Sequence, residues 1–517
     1  MTYSKKKLGL VLAISAITLL ITGCGSKSAS SSKKLAAKQE LTYATTTDPA
    51  GLSPLDTNDT ASANVIAQVY EPLFRLDSKT MKPKSLLATS YSMPNKKTYD
   101  IKLRKGVKFQ DGTPFNAAAV KYTFSQLLSK KRAAPRASLL AAIQKMTVKN
   151  DHEIVIETKY ETGTFIRDLS HTAASIVSPT ADKKGKGYLN KHPVGTGPFK
   201  FSSWTTGDQV TLNRNNHYWG RKAKLTKVTL KTLPNYSTAV SELQTGKVNF
   251  LDWLPSDYLS RIQSLKNVNT YFKKGTRVNY FGFNVSKKPF NNLKFRQAVA
   301  YAINTKSITE QGSGKSYYAN PSIIGPEVYG YDSKMKSFAY QYDLSKAKQL
   351  VKENGFGGST FKITVSNSPD TVKMAQEIQQ QLAKAGFKVK IDQTENASFI
   401  SRTTSGDYDT MISAWANSTD DASELLVPQL SSSYIGSSNR TRYRNAAFDR
   451  AAELGTSTTD TTKRKAEILK ATEIAMHDAP WVVLNHNNVS RATTNNVHGI
   501  TVDATGMWHL NNAYLTE

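Results

Sequence analysis

The residue types that perform catalysis are present in this chain, but not at working spacings. Eight histidines are scattered over 517 residues. None stands in a His-x-x-His or His-Glu-x-x-His pair that would put two imidazoles on one helix face for a metal. No Gly-x-Ser-x-Gly elbow presents a strained serine nucleophile. The stretch GTGPF at Gly195–Phe199 lacks the lysine and following Ser/Thr of a phosphate loop and reads as a turn. No Asp/Glu/His cluster suits direct metal ligation, and no cofactor is implied. What remains is the chemistry of binding. Hydroxyls follow the first strand at Thr45, Thr46 and Thr47, and aromatic faces are available at Trp253, Tyr280, Phe281 and Trp415. Asn417, Ser418, Asp420 and Asp421 add amide, hydroxyl and carboxylate groups just after Trp415. Arg402 could meet a ligand carboxylate.

The single cysteine, Cys24, follows a basic head (Lys5, Lys6, Lys7), an apolar run from Leu8 to Ile21, and the small residues Thr22 and Gly23. The apolar run is too short to span a bilayer comfortably, and small residues before a Cys are what a lipoprotein signal peptidase reads. Residues 1–23 are therefore expected to be removed and Cys24 to be lipidated, with each buried CH₂ contributing about 0.8 kcal/mol to membrane attachment. Residues 24–40 are rich in Ser, Ala and Lys and are expected to form a flexible tether with a reach of about 20 Å. Removing residues 1–23 takes three lysines and no acid from the net charge of +29, leaving +26. These charges are spread along the chain without a Lys/Arg stripe, so they argue against a nucleic-acid partner. They fit a polyanionic cell wall and an anionic membrane surface, as on the outer face of a Gram-positive cell membrane. With no second Cys there are no disulfides, so the core must come from size.

The candidate residues need elements to position them, and the chain alternates amphipathic helices with short strands. Val65, Ile66, Val69, Tyr70 and Leu73 have helical spacing after an Asp59 or Thr60 cap, and Tyr99, Ile101 and Leu103 alternate as in a half-buried strand. Helices are expected to open near Asn116 and Asn292, and another to stop at Gly246 before a strand leading to Trp253. From Asp343 the order is clearest: an Asp-capped helix ending at Gly355, the strand FKITVS, a helix stopped by Gly386, then the strands FKVKIDQ and YDTMISAW. Strand–helix–strand units of these lengths imply parallel crossovers in an open α/β sheet. Ligands of such sheets collect at the carboxyl ends of strands, which draws attention to Trp415–Asp421.

Several blocks in order resemble the solute-binding lipoproteins of oligopeptide and dipeptide ABC importers (bacterial solute-binding protein family 5). They are YEPLFRLD at Tyr70–Asp77, the stretch Tyr99–Phe124, PVGTGPFKFSSW at Pro193–Trp204, LNRNNHYWG at Leu212–Gly220, Tyr280–Asn304 and Tyr342–Phe356. The resemblance covers Leu41 to Leu515. It implies a periplasmic-binding-protein-like α/β fold of the three-domain class, with two α/β lobes around a cleft and an additional domain. Lobe 1 would comprise residues 41–80, 194–277 and 490–517, the additional domain residues 81–193, and lobe 2 residues 278–489. It further implies a monomeric, non-enzymatic receptor that captures oligopeptides between the lobes, through main-chain hydrogen bonds, and delivers them to the permease subunits of an ABC transporter. A signalling peptide, a metal chelate, or a surface adhesin or chaperone role are the alternatives. The resemblance places ligand contacts at Thr46, Thr47, Trp253, Tyr280, Phe281, Trp415, Asn417, Ser418, Asp420 and Asp421. In peptide-binding relatives an Asp three residues after the Trp holds the peptide ammonium. Here that position is Ser418, so either Asp420 or Asp421 replaces it through a shifted loop, or the protein does not fix a free amino terminus.

Overall fold

The computed structural model describes residues 34–517, the side chains of 311–314 excepted. The signal segment and Cys24 lie outside the described residues. The tether expected to run to residue 40 ends earlier. Ala36 donates its N–H to Leu515 O at 3.0 Å, and the Gln39 amide bonds the Leu515 carbonyl at 2.8 Å and accepts from its N–H at 2.9 Å. One side chain thus pairs both backbone groups of a residue near the C-terminus, and this anchors the segment.

One large mixed sheet runs through the molecule. Its main strands are β1 (Glu40–Thr45), β2 (Phe199–Thr205), β3 (Gln209–Arg214), β4 (Lys227–Thr232), β5 (Phe250–Leu251), β6 (Val268–Phe283), β7 (Thr360–Ser366), β8 (Lys388–Thr394), β9 (Thr410–Trp415) and β10 (Trp481–Thr494). Their spatial order is β8-β7-β9-β6-β10-β5-β1-β4-β3-β2, with Tyr317–Tyr318 pairing off this path onto β10. The expected parallel crossovers are present: β7 pairs in parallel with β8 and β9, and β1 with β4 and β5. A separate four-stranded antiparallel sheet takes the order 88–95, 98–103, 153–158, 143–150.

Helix starts follow the sequence signals. Asp59, Asn116, Asn292 and Asp343 each accept a backbone N–H of the first turn, satisfying a donor that the helix itself cannot. The buried apolar residues fall into four groups. One reaches from Leu41 through Phe250 to Leu515 and unites the four-stranded sheet with the β1–β5 half of the large sheet. Two lie wholly within residues 278–484. A fourth packs the helices 236–244 and 256–263 under β1, β5 and β10.

Only β6 and β10 carry the chain between the β1–β5 half and the β7–β9 half. The early part of β6 pairs with β10 alone, from Val268 opposite Thr494 to Lys274 opposite Asn488. From Val278 onward it also pairs with β9. Between those parts the register slips: Lys274 faces Asn488 and Val278 faces His486, so four steps on β6 match two on β10. Such a bulge bends a strand and re-aims its side chains. Gly275 sits in it because a Cβ there would come within 2.8 Å of Asn487 O.

Candidate binding cleft

A cavity of about 630 Å³ opens at this crossing. It lies in the middle of the range for small-molecule sites, about 300–1,000 Å³. One wall comes from residues 54–76, 170–175, 252–253 and 503–509. The other comes from Tyr317, the start of the helix Pro369–Lys384 and Ala416–Ser418. The floor is the crossing itself, with Gly275, Thr276, Arg277 and Asn279 of β6 and Asn487–Arg491 of β10.

Arginines and aspartates set the electrostatics of the cleft. His171 is half-buried near Arg136, and loss of solvation, aided by that guanidinium, pushes its pKa down to about 3. Burial pushes His509 down as well, so both imidazoles stay neutral near pH 7. Of the four cleft arginines, Arg491 donates to Ser490 O and Gly506 O, Arg75 lies 3.9 Å from Glu71, and Arg136 bonds Asn58. Among the described residues, Arg277 makes no hydrogen bond or ion pair. Of the aspartates, Asp59 caps its helix and Asp503 accepts from Thr505 and Met507. Asp252 accepts one amide hydrogen bond from Asn64 at 3.2 Å, and Asp370 accepts from Ser256 and Tyr317 hydroxyls at 2.7 and 2.9 Å. Among the described residues neither Asp252 nor Asp370 comes within ion-pair distance of a cation, although the Arg491 guanidinium acts on Asp252 at longer range.

The structure gathers only part of the expected site. Trp253, Asn417 and Ser418 line the cleft, and Trp253 is 54% exposed. Asn417 receives Thr276 Oγ1 on its carbonyl at 2.6 Å, joining the floor to one wall. Ser418 donates its N–H and hydroxyl to Glu424 at 2.7 and 2.5 Å.

Seven positions need correction. Thr46 and Thr47 belong to a local turn closed by the Thr45 hydroxyl, away from the cavity. Tyr280 is 1% exposed, its ring centroid 3.8 Å from that of Trp481 at a 45° tilt, and bonded to Gln429, because its face of β6 looks into the core. Phe281, on the other face, is wholly buried among Phe283 and its neighbours. Trp415 packs against the same core group as Tyr280 instead of facing the cavity.

Asp420 and Asp421 are also withdrawn from the cleft. Asp420 accepts from Arg167 at 2.8 Å and Asp421 from Arg464 at 2.6 Å, each carboxylate 1% exposed. These buried guanidiniums hold the acids that a shifted loop would have offered to an ammonium. Arg402 is likewise committed, to Asp392 and Asp407 on the surface.

The sequence reading missed Arg277, Asp252, Asp370 and Tyr317. The glycine inside the KKGTRVNYFGF strand signalled a bulge, and a bulge beside a cleft marks the residue it re-aims.

The conspicuous sequence blocks serve packing. Glu71 of YEPLFRLD is fully buried and accepts from Thr196, Tyr218 and Trp219 at 2.7–2.8 Å, tying three of those blocks together. Gly195 is required in GTGPF because a Cβ would come within 2.2 Å of Val69 O.

The family profile described as "Bacterial extracellular solute-binding proteins, family 5 Middle" matches residues 82–437. The chain belongs to this family. The family 5 protein is thus an extracellular solute-binding, non-enzymatic component of ABC import, with the α/β binding-protein fold expected from its sequence. It is 30% identical to the glutathione-binding protein GsiB of Shigella dysenteriae over 504 residues, covering 95% of this chain and 96% of the relative. It is similar in structure to DppA from Helicobacter pylori in complex with the peptide STSA (TM-score 0.77, 28% identity, 94% and 99% of the two chains). It is also similar to the oligopeptide-binding protein AppA from Bacillus subtilis in complex with a nonapeptide (TM-score 0.75, 25% identity, 93% and 100%).

Proposed function

We propose that this family 5 protein is the monomeric receptor of an ABC importer for short peptides, held on the outer face of the cell membrane by lipidated Cys24. The observation that carries this reading is the cleft at a two-strand crossing. Its walls belong to different buried cores, so residues 278–489 can swing as one lobe against the rest while β6 and β10 flex. The peptide-bound relatives support peptides as the ligand class.

Of the expected residues Trp253 remains available to a ligand, whereas the Asn417 amide is buried and held by the Asp421 backbone and Ser418 donates to Glu424. Asp252 and Asp370, free of ion pairs, are the cleft carboxylates left for a ligand ammonium. Glutathione, a tripeptide with two carboxylates and one ammonium, is the second reading, and the GsiB relatives favour it.

Calorimetry with trialanine and glutathione, paired with small-angle scattering, tests the proposal. Binding should be accompanied by a smaller radius of gyration, since a ligand favours closure through contacts to both walls. Absence of binding by either peptide, or an unchanged profile at saturation, overturns it.

A further inference from the structure

We propose that Arg277 is the residue that takes a ligand carboxylate in the cleft. The inference rests on the peptide reading above and deepens it.

Three independent features meet at this side chain. The first is placement. Arg277 lies in the β6 bulge on the cleft floor, at the only point where the register slips by two residues between the halves of the molecule. It is exposed between buried Thr276 and buried Val278, so the bulge turns it outward into the cavity. The second is its lack of a partner. Arg75, Arg136 and Arg491 all spend hydrogen bonds or charge on protein groups, whereas Arg277 spends none among the described residues. A guanidinium carries five N–H donors in a planar fork that matches a carboxylate in two parallel bonds. The third is its surroundings. The cleft walls crowd Arg277 enough that loss of solvation lowers its pKa from the ordinary value, although it stays cationic. A cation set in such a place, without protein counter-charge, interacts more strongly with an incoming anion than one on open surface. Its electrostatic neighbour Tyr317 is occupied in donating to Asp370 and leaves the fork free.

A peptide can supply the carboxylate from its C-terminus or from an acidic side chain, and the chemistry at Arg277 is the same. The experiment compares wild type with Arg277→Gln and Arg277→Lys by calorimetry. The probes are trialanine, trialaninamide, and the amide of Ala-Asp-Ala. Arg277 is exposed and makes no protein contact that folding needs, so thermal unfolding of both variants should match wild type.

If the C-terminus is the ligand group, trialanine should bind wild type at least tenfold more tightly than trialaninamide, and Arg277→Gln should erase that ratio. Arg277→Lys should keep part of it. If a side chain supplies the group, the aspartyl amide should lose at least fivefold on Arg277→Gln. A loss below fivefold for both acidic probes overturns the inference and leaves the peptide reading intact. Should no probe bind wild type, the peptide reading falls. Arg277 is then judged on the molecule retained by protein purified from its host. A carboxylate ligand lost in Arg277→Gln upholds the inference, and a ligand without a carboxylate, or one retained by the variant, overturns it.

Discussion

Arg167 donates from Nη1 to Asp420 Oδ2 at 2.8 Å, joining the helix 165–168 to the loop after β9 on the far side of the sequence. The neighbouring Arg464–Asp421 pair is 2.6 Å, and both guanidiniums lie over the Tyr329 ring at 4.6 and 4.7 Å. Glu161 accepting from Thr459, and Gly163 donating to Thr456 O, extend the same contact. If residues 278–489 swing as a lobe, this contact must open with the cleft.

Removing one partner of a buried pair leaves the other charge uncompensated, at a cost of about 3–5 kcal/mol. Arg167→Met should therefore destabilise the protein by about 3 kcal/mol in urea unfolding. Adding Asp420→Asn should restore more than half of that loss. Asparagine suits the left-handed backbone at this position, where φ is +59°. A single variant as stable as wild type would show that the pair contributes nothing.

Stability should also depend on pH through Asp168. Burial raises its pKa to about 8, the nearby Asp421 and Glu424 charges add to the rise, and Thr164 and Arg464 oppose it. An acid whose folded pKa lies above its unfolded value, about 3.9, binds more protons folded than unfolded in that window. Its contribution is present below about pH 4 and is lost as pH rises toward 8. Asp168→Asn should thus gain stability relative to wild type between pH 5 and pH 8. A difference that is constant or shrinks with pH would contradict the assignment.

Because Asp420 and Asp421 are tied to arginines, neither should read a peptide amino terminus. N-acetylation of a bound tripeptide should cost the same, within threefold, in wild type, Asp420→Asn and Asp421→Asn. Asp252→Asn should reduce that cost at least tenfold, about 1.4 kcal/mol, if Asp252 is the ammonium partner.

The two tryptophans should separate. Trp253→Ala should weaken peptide binding and leave unfolding unchanged, since the side chain is 54% exposed at the cleft edge. Trp415→Ala should lower stability by roughly 3 kcal/mol, in the range for removing a packed aromatic, with affinity preserved in the folded fraction. Titration and denaturation of both variants decide this.

Cys24→Ala should release the folded body into the medium with ligand binding intact. Fractionation that finds the variant still on membranes would refute the anchor.

Local signals settled much of this molecule before any tertiary contact is considered. Asp59, Asn116, Asn292 and Asp343 were legible as caps because a short polar side chain beside an apolar period has one backbone use. The strands FKITVS, FKVKIDQ and YDTMISAW were legible from length and alternation, and the helices between them required parallel pairing. The ordered blocks carried family membership, because packing of the kind Glu71 performs constrains residue types over long stretches.

Which polar residue faces the cleft was decided only in three dimensions. An aspartate near a strand end reads the same whether it awaits a ligand or an arginine. The arginines that claim Asp420 and Asp421 arrive from 253 and 43 residues away. Alternation along β6 could not say which face was the core until both faces of the crossing strand were covered, and that buried Tyr280 and Phe281 alike. Arg277 reaches the cavity through a register slip between β6 and β10, strands that meet across some two hundred residues of chain, and register is a property of the pair.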